Sequence, residues 1–72
     1  MTETLIAPAP RLKARERDVL ALVAEGLSTR EVATRMSYSE RTIKNVLQDL
    51  TTRLQFRNRT QAVAHAVRNG WI

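Results

Sequence analysis

The chain has 72 residues, carries 12 Lys+Arg against 7 Asp+Glu for a formal net charge of +5, and contains no cysteine and one histidine. That length makes one domain burying roughly 60% of its unfolded surface. Without cysteine there is no disulfide, thiolate zinc site or thiol nucleophile, and a lone His65 argues against a His-based metal site or a Ser-His-acid triad. No apolar run approaches the ~20 residues of a membrane span. The opening MTETLIAPAP carries no base and is not a secretory signal. A small, soluble, basic, cytoplasmic module is expected, with no metal, cofactor or small-molecule ligand.

Residues 1–11 read as a flexible N-terminal tail, because Pro8 and Pro10 lack N–H donors and disfavour helix in the residue before each. The domain proper is expected over residues 12–72. A first helix is predicted from Ala14 to Glu25, with Val19, Leu20, Leu22 and Val23 as its apolar stripe and Gly26 as its stop. Ser28 and Glu31 have capping-box spacing and open a short second helix running to about Arg35, with Val32, Ala33 and Met36 inward. Ser37 and Tyr38 make a tight connection, and Ser39 caps a third helix from about Glu40 to Leu54. Ile43, Leu47, Leu50 and Leu54 form its buried seam. Asn58 caps a fourth helix, with Gln61 again at capping-box spacing, and Gly70 stops it. Ala62, Val63, Ala66 and Val67 are its apolar side; Phe56, Trp71 and Ile72 close on the core. The fold class is all-α, a four-helix bundle without a strand pattern or internal repeat.

The charge is unevenly placed. Arg11, Lys13, Arg15, Arg17, Arg30 and Arg35 cancel against Glu3, Glu16, Asp18, Glu25, Glu31 and Glu40 in the first forty residues. Beyond them, Arg41, Lys44, Arg53, Arg57, Arg59 and Arg68 meet Asp49 alone. Such asymmetry points to a polyanion. Two helices joined by a short turn, the second with Arg41, Lys44, Asn45 and Gln48 outward and no acid among them, are the parts of a helix-turn-helix. The residue types fit the task. Arg or Lys pairs with guanine O6/N7, Asn or Gln pairs with adenine N6/N7, and an acid there would meet a phosphate row.

Five stretches, A14-R-E-R-D-V-L, E25-G-L-S-T-R-E-V-A, S39-E-R-T-I-K-N, R59-T-Q-A-V and the final G70-W-I, resemble the LuxR/FixJ/NarL-type DNA-binding domain. The resemblance covers about Leu12 to Ile72. It implies a scaffold helix at about 28–35, a recognition helix at about 40–54, and a transcriptional regulator that binds double-stranded DNA as a homodimer. It implies base contacts from Lys44, Asn45 and Gln48. Ser39, Arg41, Thr42, Arg53, Arg59, Thr60 and Gln61 are implied on phosphates, and Arg57 is read as a further phosphate clamp. The dimer is expected through the last helix, at Ala62, Val63, His65 and Ala66. A stand-alone regulator is expected, which the initial Met and short lead permit; an excised effector domain is the alternative.

Three positions depart from the family pattern. Lys13-Ala14 replaces a frequent Thr-Pro helix start, at a cost of about 1 kcal/mol. Val46 replaces a common His and is read as packing. Gln55 stands where Gly usually ends the third helix, leaving that terminus to run on or to end with strain. A competing function is a protein-interaction module docking a sigma factor or polymerase subunit through the last helix. An enzyme is not expected: no nucleophile with a base and no phosphate-cradling glycine loop is present.

Overall fold

The computed structural model describes residues 12–72, and the expected tail, 1–11, lies outside the described residues. Four helices follow one another, α1 (Ala14–Ala24), α2 (Thr29–Met36), α3 (Glu40–Arg53) and α4 (Arg59–Arg68), with no strand among the described residues. The fold class and the element order are those expected, and the ends differ by a residue or so. Glu25 and Leu54, expected as the last helical residues of α1 and α3, are C-caps instead.

Local chemistry sets the starts. Ser28 Oγ accepts from Glu31 N–H at 3.1 Å, and Glu31 Oε1 accepts from Ser28 N–H at 2.7 Å, a complete capping box. Ser39 Oγ accepts from Thr42 N–H at 3.0 Å, and Asn58 Oδ1 accepts from Gln61 N–H at 2.9 Å. Gln61 departs from the expected box. Its Oε1 accepts from Arg57 N–H at 2.5 Å, one residue before the cap. At α1 the Lys13 ammonium has no lone pair to offer, so only the reciprocal half of a box forms. Glu16 Oε1 accepts from Lys13 N–H at 3.0 Å.

All four helices end alike, with crossed bonds from the two residues that follow the last turn. Leu27 N–H reaches Leu22 O, Tyr38 N–H reaches Ala33 O, Phe56 N–H reaches Thr51 O and Trp71 N–H reaches Ala66 O. Each closure requires one left-handed residue. Gly26 and Gly70 take that conformation cheaply. Ser37, at φ 62°, and Gln55, at φ 60°, take it with a side chain. The doubt over the α3 terminus is resolved: the helix stops on a strained residue and does not run on.

Helix α3 packs on all three others, and α1 does the same. Val19, Leu20, Val32, Ile43, Leu50, Ala62 and Ala66 are wholly or almost wholly buried at their junction. Removing a side chain such as Leu50 there costs about 2–5 kcal/mol. Val46 is buried in the same cluster, so its packing role holds. Leu54, Phe56, Trp71 and Ile72 are half-buried against the core. The α2–α3 turn thereby holds α3 with its polar side outward.

Candidate nucleic-acid interface

Arg41, Lys44, Asn45, Gln48 and Thr52 are all exposed along one side of α3. Their spacing puts them on the rows opposite Ile43, Leu47 and Leu50. Arg41 has no hydrogen bond or ion pair with any described residue. Lys44 Nζ stands 3.9 Å from Glu40 Oε2 in an exposed i,i+4 pair. A surface pair of this kind contributes at most about 1 kcal/mol, so Glu40 steers the ammonium without tying it down. Charge bookkeeping along the chain groups Glu40 with the first forty residues, although in the fold it stands beside Lys44. The i,i+4 spacing of an acid before a base was the available signal.

Ser39 and Thr42 open the helix together. Their hydroxyls lie 2.8 Å apart and the cap takes Thr42 N–H, while the N–H groups of Glu40 and Arg41 have no acceptor within the helix. Such an end favours an anion through its exposed donors and the helix dipole. A second basic group lies at the start of α4. Arg59 Nη1 donates to Thr29 Oγ1 at 3.0 Å, which joins the first residues of α2 and α4. Thr60 lines the same shallow groove as Arg59, beside Gly26 and Leu27. Arg57 is exposed. Gln61 uses its side-chain oxygen within the loop, on Arg57 N–H.

Arg53, implied on a phosphate by the resemblance, is engaged within the fold. Its Nη2 donates to Glu16 Oε1 at 2.6 Å, its Nη1 to Glu16 Oε2 at 3.0 Å and to Asp49 Oδ2 at 2.6 Å. Glu16 is only 2% exposed. Burial pushes its carboxyl pKa upward. Hydrogen bonds from Arg53 and from Lys13 N–H, with the Arg53 charge, reverse this and hold it below the ordinary value. The bidentate pair ties the start of α1 to the last turn of α3. Among the described residues no buried side-chain polar atom lacks a partner.

Two of the four residues expected at a dimer contact need a correction. Ala62 and Ala66 are 0% exposed and pack inside the monomer, so a second copy cannot reach them. Small side chains at i, i+4 let α4 approach the core closely, and that is their use. His65 sits between Phe56 and Trp71, with ring centroids 5.2 and 4.9 Å away. Val63 is half-buried, and Val67, one turn on, is 56% exposed. The outward stripe of α4 is therefore Val63–Val67, rotated from the one expected.

Among the described residues no group of His, Cys, Asp and Glu is arranged to hold a metal ion, and no helix is long and apolar enough to cross a membrane. The family model described as bacterial regulatory proteins, luxR family, matches residues 10–66. The chain is 34% identical over 72 residues to the transcriptional regulatory protein DesR of Bacillus subtilis, covering 100% of this chain and 36% of that protein. It is 35% identical over 65 residues to the transcriptional regulatory protein DegU of Brevibacillus brevis, covering 90% of this chain and 28% of that protein. It thus spans about a third of the length of such relatives. The spore germination protein GerE of Bacillus subtilis is 33% identical over 70 residues, and there the alignment covers 97% of this chain and 95% of the relative.

Proposed function

The chain belongs to the luxR family of bacterial regulatory proteins, and on that footing we propose that it binds double-stranded DNA sequence-specifically as a homodimer, with α3 in the major groove. It is a DNA-binding domain of transcription regulators and not an enzyme. The observation that carries the finer reading is the exposed row of Arg41, Lys44, Asn45 and Gln48, held outward by a fully packed opposite side. Lys44, Asn45 and Gln48 read base edges, each for roughly 1–3 kcal/mol of discrimination. Arg41, Ser39 and Thr42 at the start of α3, with Arg57, Arg59 and Thr60 at the start of α4, hold phosphates and fix register. The α4 stripe of Val63 and the exposed Val67 supports the dimer contact. A two-fold dimer reads an inverted repeat with half-sites about one helical turn apart.

Fluorescence-anisotropy titrations on a duplex selected from a random pool and on a scrambled duplex test this. Lys44→Ala is expected to weaken the selected duplex by roughly ten- to a hundredfold and the scrambled one far less. Arg59→Ala is expected to weaken both about equally and to lower the salt slope by about 1. Equal losses on both duplexes for Lys44→Ala overturn the base-reading assignment.

A further inference from the structure

Helix α3 has two edges beside its outward row, and they are unequally supplied with cations. Lys44 stands on one edge. The other carries Thr42, Asn45 and Asp49, at i, i+3 and i+7, and faces α1 across a cleft of about 240 Å³. No α3 residue lining that cleft is a cation, and the guanidinium of Arg53 is engaged by Glu16 and Asp49. Arg15, from the first turn of α1, lines this cleft together with Glu16, Thr42, Asn45, Val46 and Asp49. It is exposed and has no ion pair with any described residue.

Resting on the DNA-binding reading above, we propose that Arg15 is a phosphate-binding residue of the interface, holding the strand on the α1 side of α3. A helix lying in a groove about 12 Å wide has a phosphate row along each flank. Lys44 reads a base edge from the other side of α3, and neither Arg41 nor Arg59 lines the cleft beside α1. A long guanidinium beside Asn45 reaches the other row while Asn45 faces the bases. Charge bookkeeping along the chain hides this role. In sequence Arg15 is cancelled by its neighbour Glu16, yet in the fold Glu16 is buried and answered by Arg53. The cleft's own acids also give Arg15 a second effect. Arg53 shares one charge between two carboxylates, so Arg15 cancels the negative charge left over, which would otherwise repel a phosphate.

The test compares Arg15→Gln, Arg15→Lys and Arg17→Gln. Arg17 lies on the same helix, more than half a turn round from Arg15, and is not part of the cleft. Anisotropy titrations over a range of salt use the selected and the scrambled duplex, with Lys44→Ala as the marker of the base-reading face. Arg15→Gln is expected to weaken both duplexes by a similar factor, roughly three- to tenfold, and to lower the salt slope by about 1. Arg15→Lys keeps the slope, and Arg17→Gln changes neither slope nor affinity. All three melt like the parent chain, because both side chains are exposed. An unchanged slope for Arg15→Gln while Lys44→Ala still loses the selected duplex overturns this inference alone. An equal fall for Arg17→Gln also overturns it, by showing an effect of net charge without position. Absence of salt-dependent duplex binding by the parent chain overturns the DNA-binding reading and this inference with it.

Discussion

The first and last turns of α3 carry the same kinds of side chain and put them to opposite uses. In the first turns Arg41, Lys44 and Asn45 are exposed, and Glu40 makes only a loose pair with Lys44 at 3.9 Å. In the last turns Arg53 binds Glu16 and Asp49 at 2.6 Å each, and Thr51 turns its hydroxyl back onto Leu47 O at 2.9 Å. One end is kept available for an outside partner. The other end is bound to the fold. A basic residue is a ligand-binding group only where the fold leaves its charge unanswered, and that depends on acids distant in sequence. Glu16 and Arg53 are 37 positions apart.

Breaking the committed end gives the largest effect. Arg53→Met leaves Glu16 buried with Lys13 N–H as its remaining donor, and stranding one partner of a buried pair is strongly destabilising. Arg53 keeps 27% side-chain exposure, which moderates the loss to about 2–3 kcal/mol. In a domain of this size the melting temperature is expected to fall by roughly 10–20 °C. Below the new transition the salt slope for duplex binding should be unchanged. A folded Arg53→Met variant with a slope lower by about 1 would return Arg53 to the phosphate contacts and dissolve the contrast between the two ends.

The reciprocal change at the available end is smaller in stability and specific in binding. Gln48→Ala touches an exposed side chain, so unfolding by urea should shift by no more than about 0.5 kcal/mol. Binding to the selected duplex should weaken by about 1–3 kcal/mol, with little change on the scrambled one. A stability loss comparable to that of Arg53→Met would mean that this end, too, belongs to the fold.

The lock also has a pH signature. Glu16 has its carboxyl pKa lowered in the fold, so the unfolded chain binds the proton more readily than the folded one. The stability it contributes is fully present above its ordinary value of 4.5 and is lost as pH falls through the lowered folded value. Glu31, whose capping bonds to Ser28 lower its carboxyl pKa as well, acts in the same window. Glu16→Gln should therefore flatten part, not all, of the acid limb of a stability-against-pH curve. An acid limb of unchanged steepness would show that the pair contributes no pH-dependent stability.

The fold was largely legible in the sequence because its signals are local. Ser28 with Glu31, Ser39, Asn58, Gly26 and Gly70 mark ends within one helical turn, and the α3 seam repeats at helical spacing. The outward row of α3 followed from that seam. What sequence left dark needed contacts between elements. Arg53 looks like Arg57 or Arg59 until Glu16 is brought beside it. Ala62 and Ala66 look like a docking stripe until α1 is packed on them. The rotation of α4 about its axis is set by which small residues allow the closest approach, and periodicity alone does not choose between neighbouring stripes. Capping-box spacing likewise predicted that Gln61 would reach back to its cap, yet the loop brought Arg57 N–H closer.

The smallest effect separates the two ends of α3 from a third variable, the geometry of the helix stop itself. Gln55 holds φ 60° so that Phe56 N–H can reach Thr51 O at 2.8 Å. For a residue with a Cβ, that conformation costs about 1–2 kcal/mol. Glycine removes the clash but loses more backbone freedom on folding, by roughly 0.5–1 kcal/mol. Gln55→Gly is therefore expected to stabilise by about 0.5 kcal/mol and to raise the melting temperature by roughly 2–4 °C. Gln55 is exposed, and its side chain makes no hydrogen bond with a described residue, so nothing is lost with it. The same stop occurs at Gly26 and Gly70, where glycine already stands, and the gain at Gln55 measures what those two positions avoid. Duplex binding should be unaffected, since the proposed α3 contacts lie toward its available end. A weaker selected-duplex affinity for Gln55→Gly, with the fold intact, would mean that the α3 stop helps to present Gln48. The division between an available and a committed end would then have to be drawn nearer the terminus.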